Sequence, residues 1–154
     1  MLTSGNAKGK IMSVKEVQKE IVEEFQFLPD WEEKYGEIIR LGRKLTEYPE
    51  EFRDEKYKVK GCQSQVWLHP EFVNGKIHFD ADSDAMIVKG LIALLMRVYN
   101  ERTPQEIIDN PPNFLSEIGI DNHLSPTRKN GLGAMMKQIQ MYAVAFKSMS
   151  EKTN

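Results

Sequence analysis

Cys62 is the only cysteine in a chain of 154 residues, and it follows a glycine in the run Lys58-Val59-Lys60-Gly61-Cys62-Gln63-Ser64-Gln65-Val66-Trp67. A glycine lets the backbone turn sharply or approach another segment closely. Lys58 and Lys60 put positive charge nearby, which favours thiolate over thiol, and the thiolate is the reactive species. A free cysteine is just as commonly a small buried apolar side chain. Position alone therefore leaves Cys62 open between nucleophile and core packing. With no second cysteine the chain forms no internal disulfide, and a reducing compartment keeps Cys62 a free thiol.

Three histidines, His69, His78 and His123, are the other chemistry-bearing candidates. His69 and His78 flank a hairpin as candidate cross-strand neighbours. One thiol with scattered imidazoles matches no tetrahedral zinc spacing, so no metal site is expected. Building an iron-sulfur cluster on the chain would need several cysteine ligands, which it lacks. A cysteine hydrolase or transferase would need a base and an orienting group fixed beside Cys62. The spacing does not require one, and such an enzyme stays open as the rival reading. A third reading is an interaction module with an inert Cys62. Gly131-Leu132-Gly133 resembles a fragment of a phosphate-binding loop, yet it lies within a helical pattern and follows no strand. It reads as close helix packing.

Composition narrows the partners. Lys and Arg total 21 against 23 Asp and Glu, a formal charge of -2, so no global attraction to nucleic acid or anionic lipid is expected. The longest apolar run, Ala85 to Tyr99, is interrupted by Lys89 and Arg97 and is shorter than the roughly 20 residues that span a bilayer. It reads as a core helix. Basic residues at the amino terminus have no apolar stretch behind them, so no secretory signal is expected. The expected location is the cytoplasm.

Outward from Cys62, the elements that must hold it are marked by local signals. Residues 1–12 are polar and aperiodic, and read as a disordered leader to a single domain over 13–150. Ser13 and Glu16 form a capping-box pattern, with Val14, Val17, Ile21 and Phe25 at helical spacing to about Phe27. Asp30 caps a second helix, from Asp30 to about Leu45, with Trp31, Tyr35, Ile38 and Leu41 as its stripe. Pro49 to Lys60 shows no sustained period. Gln63 to His69 reads as a strand that turns at Asn74-Gly75, a type I′ signal, into a second strand from Lys76 to Asp80. Asp82, Ser83 and Asp84 are expected to supply the cap and acidic first turn of a helix from about Asp84 to Asn100. Thr103-Pro104-Gln105-Glu106 opens a short helix that ends before Pro111, and Phe114 to Ile118 forms a turn. Ser125-Pro126 opens the last helix, which runs to about Met149. The predicted fold class is α+β, a small antiparallel sheet covered on one side by several helices.

The run Gly61-Cys62-Gln63-Ser64-Gln65-Val66-Trp67 is similar to the signature around the sulfur-accepting cysteine of the SufE family. Asp30 to Tyr35 with Ile38-Ile39 and Leu41-Gly42 resembles that family's second helix. Asp82 to Ala85 with Ile87 to Ala93 resembles its central helix, Thr103-Pro104-Gln105 its next helix start, and Leu124 to Arg128 with Gly131-Leu132 its final one. The likeness spans about residues 14 to 147 and leaves the leader unexplained. It implies a SufE/IscU-like fold and a sulfur carrier: a pyridoxal-phosphate cysteine desulfurase, of SufS or CsdA type, would pass sulfur to Cys62 as a persulfide. An iron-sulfur scaffold of SufBCD type would receive it. The cofactor would belong to the desulfurase, and the carrier itself would need none. On the same resemblance Arg128 is an electrostatic helper of the thiolate or persulfide. Gly61, Gln63, Ser64, Gln65 and Asp84 support the loop or touch the partner. Trp67 reads as core.

Overall fold

The computed structural model describes residues 11–153. Among these residues, six helices surround one antiparallel hairpin, so the chain is α+β. Of the expected leader, residues 1–10 lie outside the described residues, Ile11 is exposed, and Met12 packs against the core.

Helix α1 (Val14–Gln26) starts at the Ser13/Glu16 capping box and buries Val14, Val17, Ile21 and Phe25, the stripe its spacing predicts. Helix α2 (Trp31–Arg43) starts at Asp30, whose side chain accepts the Glu33 N–H, and ends before the expected Leu45. Strands β1 (Val66–Val73) and β2 (Lys76–Ser83) are joined by Asn74 and Gly75, with φ of 54° and 79°. Two successive residues at positive φ are what a type I′ turn demands. Both strands run further than their sequence pattern suggested, and β1 begins at Val66 rather than Gln63. Pro70 is tolerated within β1 because it faces Phe79, whose N–H is bonded away from β1 to Asn100 Oδ1 at 2.8 Å. No ladder donor is missing there.

Helix α3 (Met86–Tyr99) forms the centre of the core, with eight buried residues from Gly90 to Tyr99. It crosses α2 at very short range, since a Cβ on Gly90 would lie 2.0 Å from the Ile38 carbonyl oxygen. Arg97 ties α3 to α1 by donating to Glu24 Oε1 at 2.9 Å and also to Glu20. Helices α4 (Pro104–Asp109) and α5 (Phe114–Glu117) are short, and α4 opens on the expected Thr103/Glu106 capping box. Helix α6 (Pro126–Thr153) extends past Met149 and packs Tyr142 and Phe146 towards Phe79 and Phe72 of the hairpin. Among the described residues, no helix is long and apolar enough to cross a membrane.

Helices cover one face of the sheet, as expected, and a segment between α2 and β1 covers part of the other. The stretch without a sequence period forms two 3-10 turns, Glu50–Phe52 and Glu55–Tyr57. Phe52 stacks on buried His69 with ring centroids 3.5 Å apart, and Arg53 lies over the rings of Tyr48 and Trp67 while it pairs with Asp82 at 2.9 Å. Trp67 is buried, as expected. This covering segment then delivers the chain to Cys62.

Candidate functional site

Cys62 sits near the tip of a short loop whose two ends are pinned. The Val59 N–H donates to the Val66 carbonyl at 2.8 Å, and Lys58 bridges to Trp67, so residues 60–65 close a loop on the outer edge of β1. Gly61 has φ of 87°, in the region that favours glycine. It turns the chain so that the Cys62 Sγ faces helix α6, where the Gly131 carbonyl accepts from the thiol at 3.5 Å.

Asp84 clamps the far end of the loop. Its Oδ1 accepts the Gln65 N–H at 3.0 Å, and the Gln65 carbonyl accepts the Asp84 N–H at 3.2 Å. The sequence suggested instead that Asp82, Ser83 and Asp84 cap α3. That expectation fails because β2 continues through Ser83 and the helix starts one residue after Ala85, with no side-chain cap and no acidic residue in its first turn. Ser83 Oγ accepts the Ala85 N–H, and Asp82 pairs with Arg53 and Lys89. Asp84→Ala should cost about 1 kcal/mol, the net value of a typical hydrogen bond, and free the loop. We expect alkylation of Cys62 to speed up several-fold at constant pH; an unchanged rate would show that the clamp does not restrain the loop.

The thiol lies at an open cleft of about 430 Å³ where three elements meet. The loop contributes Gln63 and Ser64, β1 contributes Val66, and α3 contributes Val88. Ser125, Thr127, Arg128 and Gly131 come from the start of α6. Ser125 caps this helix, its Oγ accepting the Arg128 N–H at 3.3 Å, and so fixes where Arg128 leaves the backbone. Cys62 and Arg128, chosen from sequence, thus share one cleft. Gln63 and Ser64 line it too, whereas Gln65 is used through its backbone. Val88, Ser125, Thr127 and Gly131 were not singled out as lining; the only sequence signals were the Ser125-Pro126 helix start and the Gly131 glycine.

The electrostatics differ from expectation. Lys58 and Lys60 both reach Glu55, at 3.4 and 3.2 Å, so that one carboxylate draws both ammonium groups to itself. Burial pushes the Cys62 thiol above its ordinary value of 9.0, because a half-buried thiolate loses hydration. The resting group is therefore a neutral thiol at pH 7.

The histidines lie elsewhere. His69 and His78 are not direct partners across the hairpin; each approaches Asp80, at 3.4 and 3.3 Å, and His78 also meets Glu101 at 2.5 Å. These carboxylates push the His78 imidazole up, with the Glu101 hydrogen bond the largest cause. Among the described residues the buried His69 Nδ1 has no hydrogen-bond partner, since Asp80 at 3.4 Å lies off its hydrogen-bonding line. His123 stacks on Trp31 at 3.8 Å. Among the described residues, no group of three or more His, Cys, Asp or Glu is arranged to hold a metal ion.

Comparison with known proteins gives the same setting. Residues 19–143 match the model of a family described as SufE, an Fe-S metabolism associated domain. The chain is 40% identical over 126 residues to an uncharacterized SufE-like protein from Synechocystis sp., covering 82% of this chain and 79% of the other. A hypothetical protein from Thermus thermophilus, solved in solution, shares its fold with a TM-score of 0.70 at 24% identity, over 84% of this chain and 94% of that one. The chain is an α+β protein whose hairpin carries a pinned cysteine loop against a helical layer, and it belongs to the SufE family, associated with iron-sulfur metabolism.

Proposed function

We propose that the protein accepts sulfane sulfur from a cysteine desulfurase onto Cys62, activates that desulfurase by unloading it, and delivers the sulfur for iron-sulfur cluster assembly. The observation that carries this reading is a solitary thiol, on a loop pinned at both ends, facing an open cleft that also contains Arg128.

The chemistry is thiol–disulfide exchange in form. The Cys62 proton leaves to solvent, and the thiolate attacks the outer sulfur of the desulfurase persulfide. A new S–S bond forms on Cys62, the old S–S bond breaks, and its electron pair leaves on the desulfurase thiolate. No net oxidation occurs. The C–S bond of cysteine breaks earlier, on pyridoxal phosphate in the desulfurase, so this chain is a carrier and not a complete enzyme. A second thiol beside the persulfide would close a disulfide and release sulfide; a single cysteine protects the cargo.

A neutral resting thiol suits this role. It is poorly nucleophilic towards stray electrophiles and gains reactivity when a docked partner supplies positive charge or opens the loop. The desulfurase is of SufS or CsdA type and the recipient a scaffold of SufBCD type, all in the cytoplasm. The rival, a hydrolase or transferase using Cys62 with a histidine, has little support, since the residues lining the cleft include no histidine.

The test is desulfurase turnover, read as alanine release, while this protein is added. Turnover should rise with concentration and saturate; no change would reject the activator role. Arg128 is exposed at the cleft, where one solvated charge is worth about 1 kcal/mol to a persulfide anion. Arg128→Ala should therefore slow sulfur acceptance roughly fivefold. In both proteins acceptance should rise with pH towards a midpoint above that of an unperturbed cysteine, because only the thiolate attacks. Equal rates for Arg128→Ala and wild type would remove Arg128 from the mechanism.

A further inference from the structure

Gly131 lies on α6 directly against Cys62, and its contact is with the reactive sulfur rather than with another helix. A Cβ at this position would stand 3.6 Å from the Cys62 Sγ and 3.8 Å from its Cβ. Those are ordinary contact distances for such atoms, about 3.5–4.0 Å, so beside the bare thiol a methyl group fits in contact. Gly133, two residues on in the same helix, has nothing within 4 Å of its missing Cβ. The two glycines therefore serve different ends, and helix packing explains neither.

We infer that Gly131 is a specificity-determining residue: its missing side chain keeps open the space that the outer sulfur of the Cys62 persulfide occupies. This rests on the acceptor role proposed above. A persulfide places its second sulfur about 2.05 Å beyond Sγ. With a methyl 3.6 Å from Sγ, an outer sulfur turned to that side falls far inside contact distance. The thiol fits beside alanine, and a persulfide turned to that side does not. Val66 and Val88 line the same cleft and give it an apolar wall. The transfer step is the one already written, with every bond and electron pair unchanged; Gly131 governs only where the arriving sulfur resides.

Gly131→Ala and Gly133→Ala separate this from a structural effect, since both make the same gain in helix propensity. Thiolate absorbance against pH reads the resting thiol without adding an atom, and should give the wild-type midpoint in Gly133→Ala and the same midpoint or a slightly higher one in Gly131→Ala, whose methyl adds to the burial of the sulfur. Sulfur loading is then followed by intact mass with two donors, a cysteine desulfurase supplied with cysteine, and inorganic polysulfide, which needs no docking. Gly131→Ala should load roughly tenfold more slowly or worse with both donors, the scale of an overpacking penalty, and Gly133→Ala should match wild type. Equal loading of Gly131→Ala by polysulfide would overturn the inference. So would a Gly131→Ala protein that melts below Gly133→Ala, because the space would then be filled in the resting state. Wild type that loads from polysulfide but not from the desulfurase would reject the acceptor role while leaving the comparison between variants intact.

Discussion

Gly90→Ala should destabilise the protein by about 3 kcal/mol, the upper part of the usual overpacking range, and lower its melting temperature by roughly 10 °C for a chain of this length. Alanine is the better helix former, so propensity alone predicts the opposite sign. The crossing of α2 and α3 decides the outcome. A Cβ on Gly90 would lie 2.0 Å from the Ile38 carbonyl oxygen and 2.6 Å from its carbonyl carbon, and one on Gly42 would lie 2.8 Å from the Gly90 nitrogen. These are backbone atoms and cannot rotate aside, so the helices must separate and give up contacts made by buried Ile38, Leu91 and Leu94. Gly36 of α2 is the control, because nothing lies within 4 Å of its missing Cβ; alanine there should stabilise by about 0.5–1 kcal/mol. Thermal and urea unfolding of both variants would measure this, and a Gly90→Ala protein as stable as wild type would show that the crossing is not tight.

Elements with a local signal were legible in the sequence. Ser13 with Glu16, Thr103 with Glu106, and Asn74-Gly75 each fix a backbone conformation through neighbours three residues away or fewer, and each is found where expected. The covering segment between Tyr48 and Tyr57 had no such signal. Its shape comes from contacts distant in sequence, chiefly Arg53 with Trp67 and Asp82, and Phe52 with His69.

The candidate site divides in the same way. Cys62 and Arg128 were recognisable because a glycine before a lone cysteine and a Ser-Pro helix start resemble a known pattern, and they do share a cleft. Asp84 was named as loop support through the resemblance alone; read locally, an acidic residue before an apolar run looks like a helix cap, whereas its partner, the Gln65 N–H, lies 19 residues away. Lys58 and Lys60 were credited to the thiol although Glu55, three and five residues back, was the nearer competitor. Gly131 was seen as a glycine but not as a neighbour of sulfur, since nothing local links it to Cys62 across 69 residues.

Cys62→Ser should abolish sulfur acceptance and desulfurase stimulation while leaving the fold and partner binding in place. The Cys62 side chain is only part-buried and its one hydrogen bond, to the Gly131 carbonyl, is of a kind that a hydroxyl also makes. The stability change should be about 1 kcal/mol or less, at the mild end of single substitutions. Binding draws on large anchors and surface complementarity, neither of which is altered. Serine has no sulfur on which to carry a persulfide, so activity should fall to the level of the desulfurase alone. Stimulation retained by Cys62→Ser would leave an allosteric activator and remove the carrier.

The most direct measurement is the intact mass of the wild-type protein after incubation with a cysteine desulfurase, pyridoxal phosphate and cysteine. The predicted result is the gain of one sulfur atom, located on the peptide that contains Cys62 and removed by a thiol reductant. An unchanged mass, recorded while the desulfurase itself carries a persulfide, would contradict the assignment of Cys62 as the acceptor.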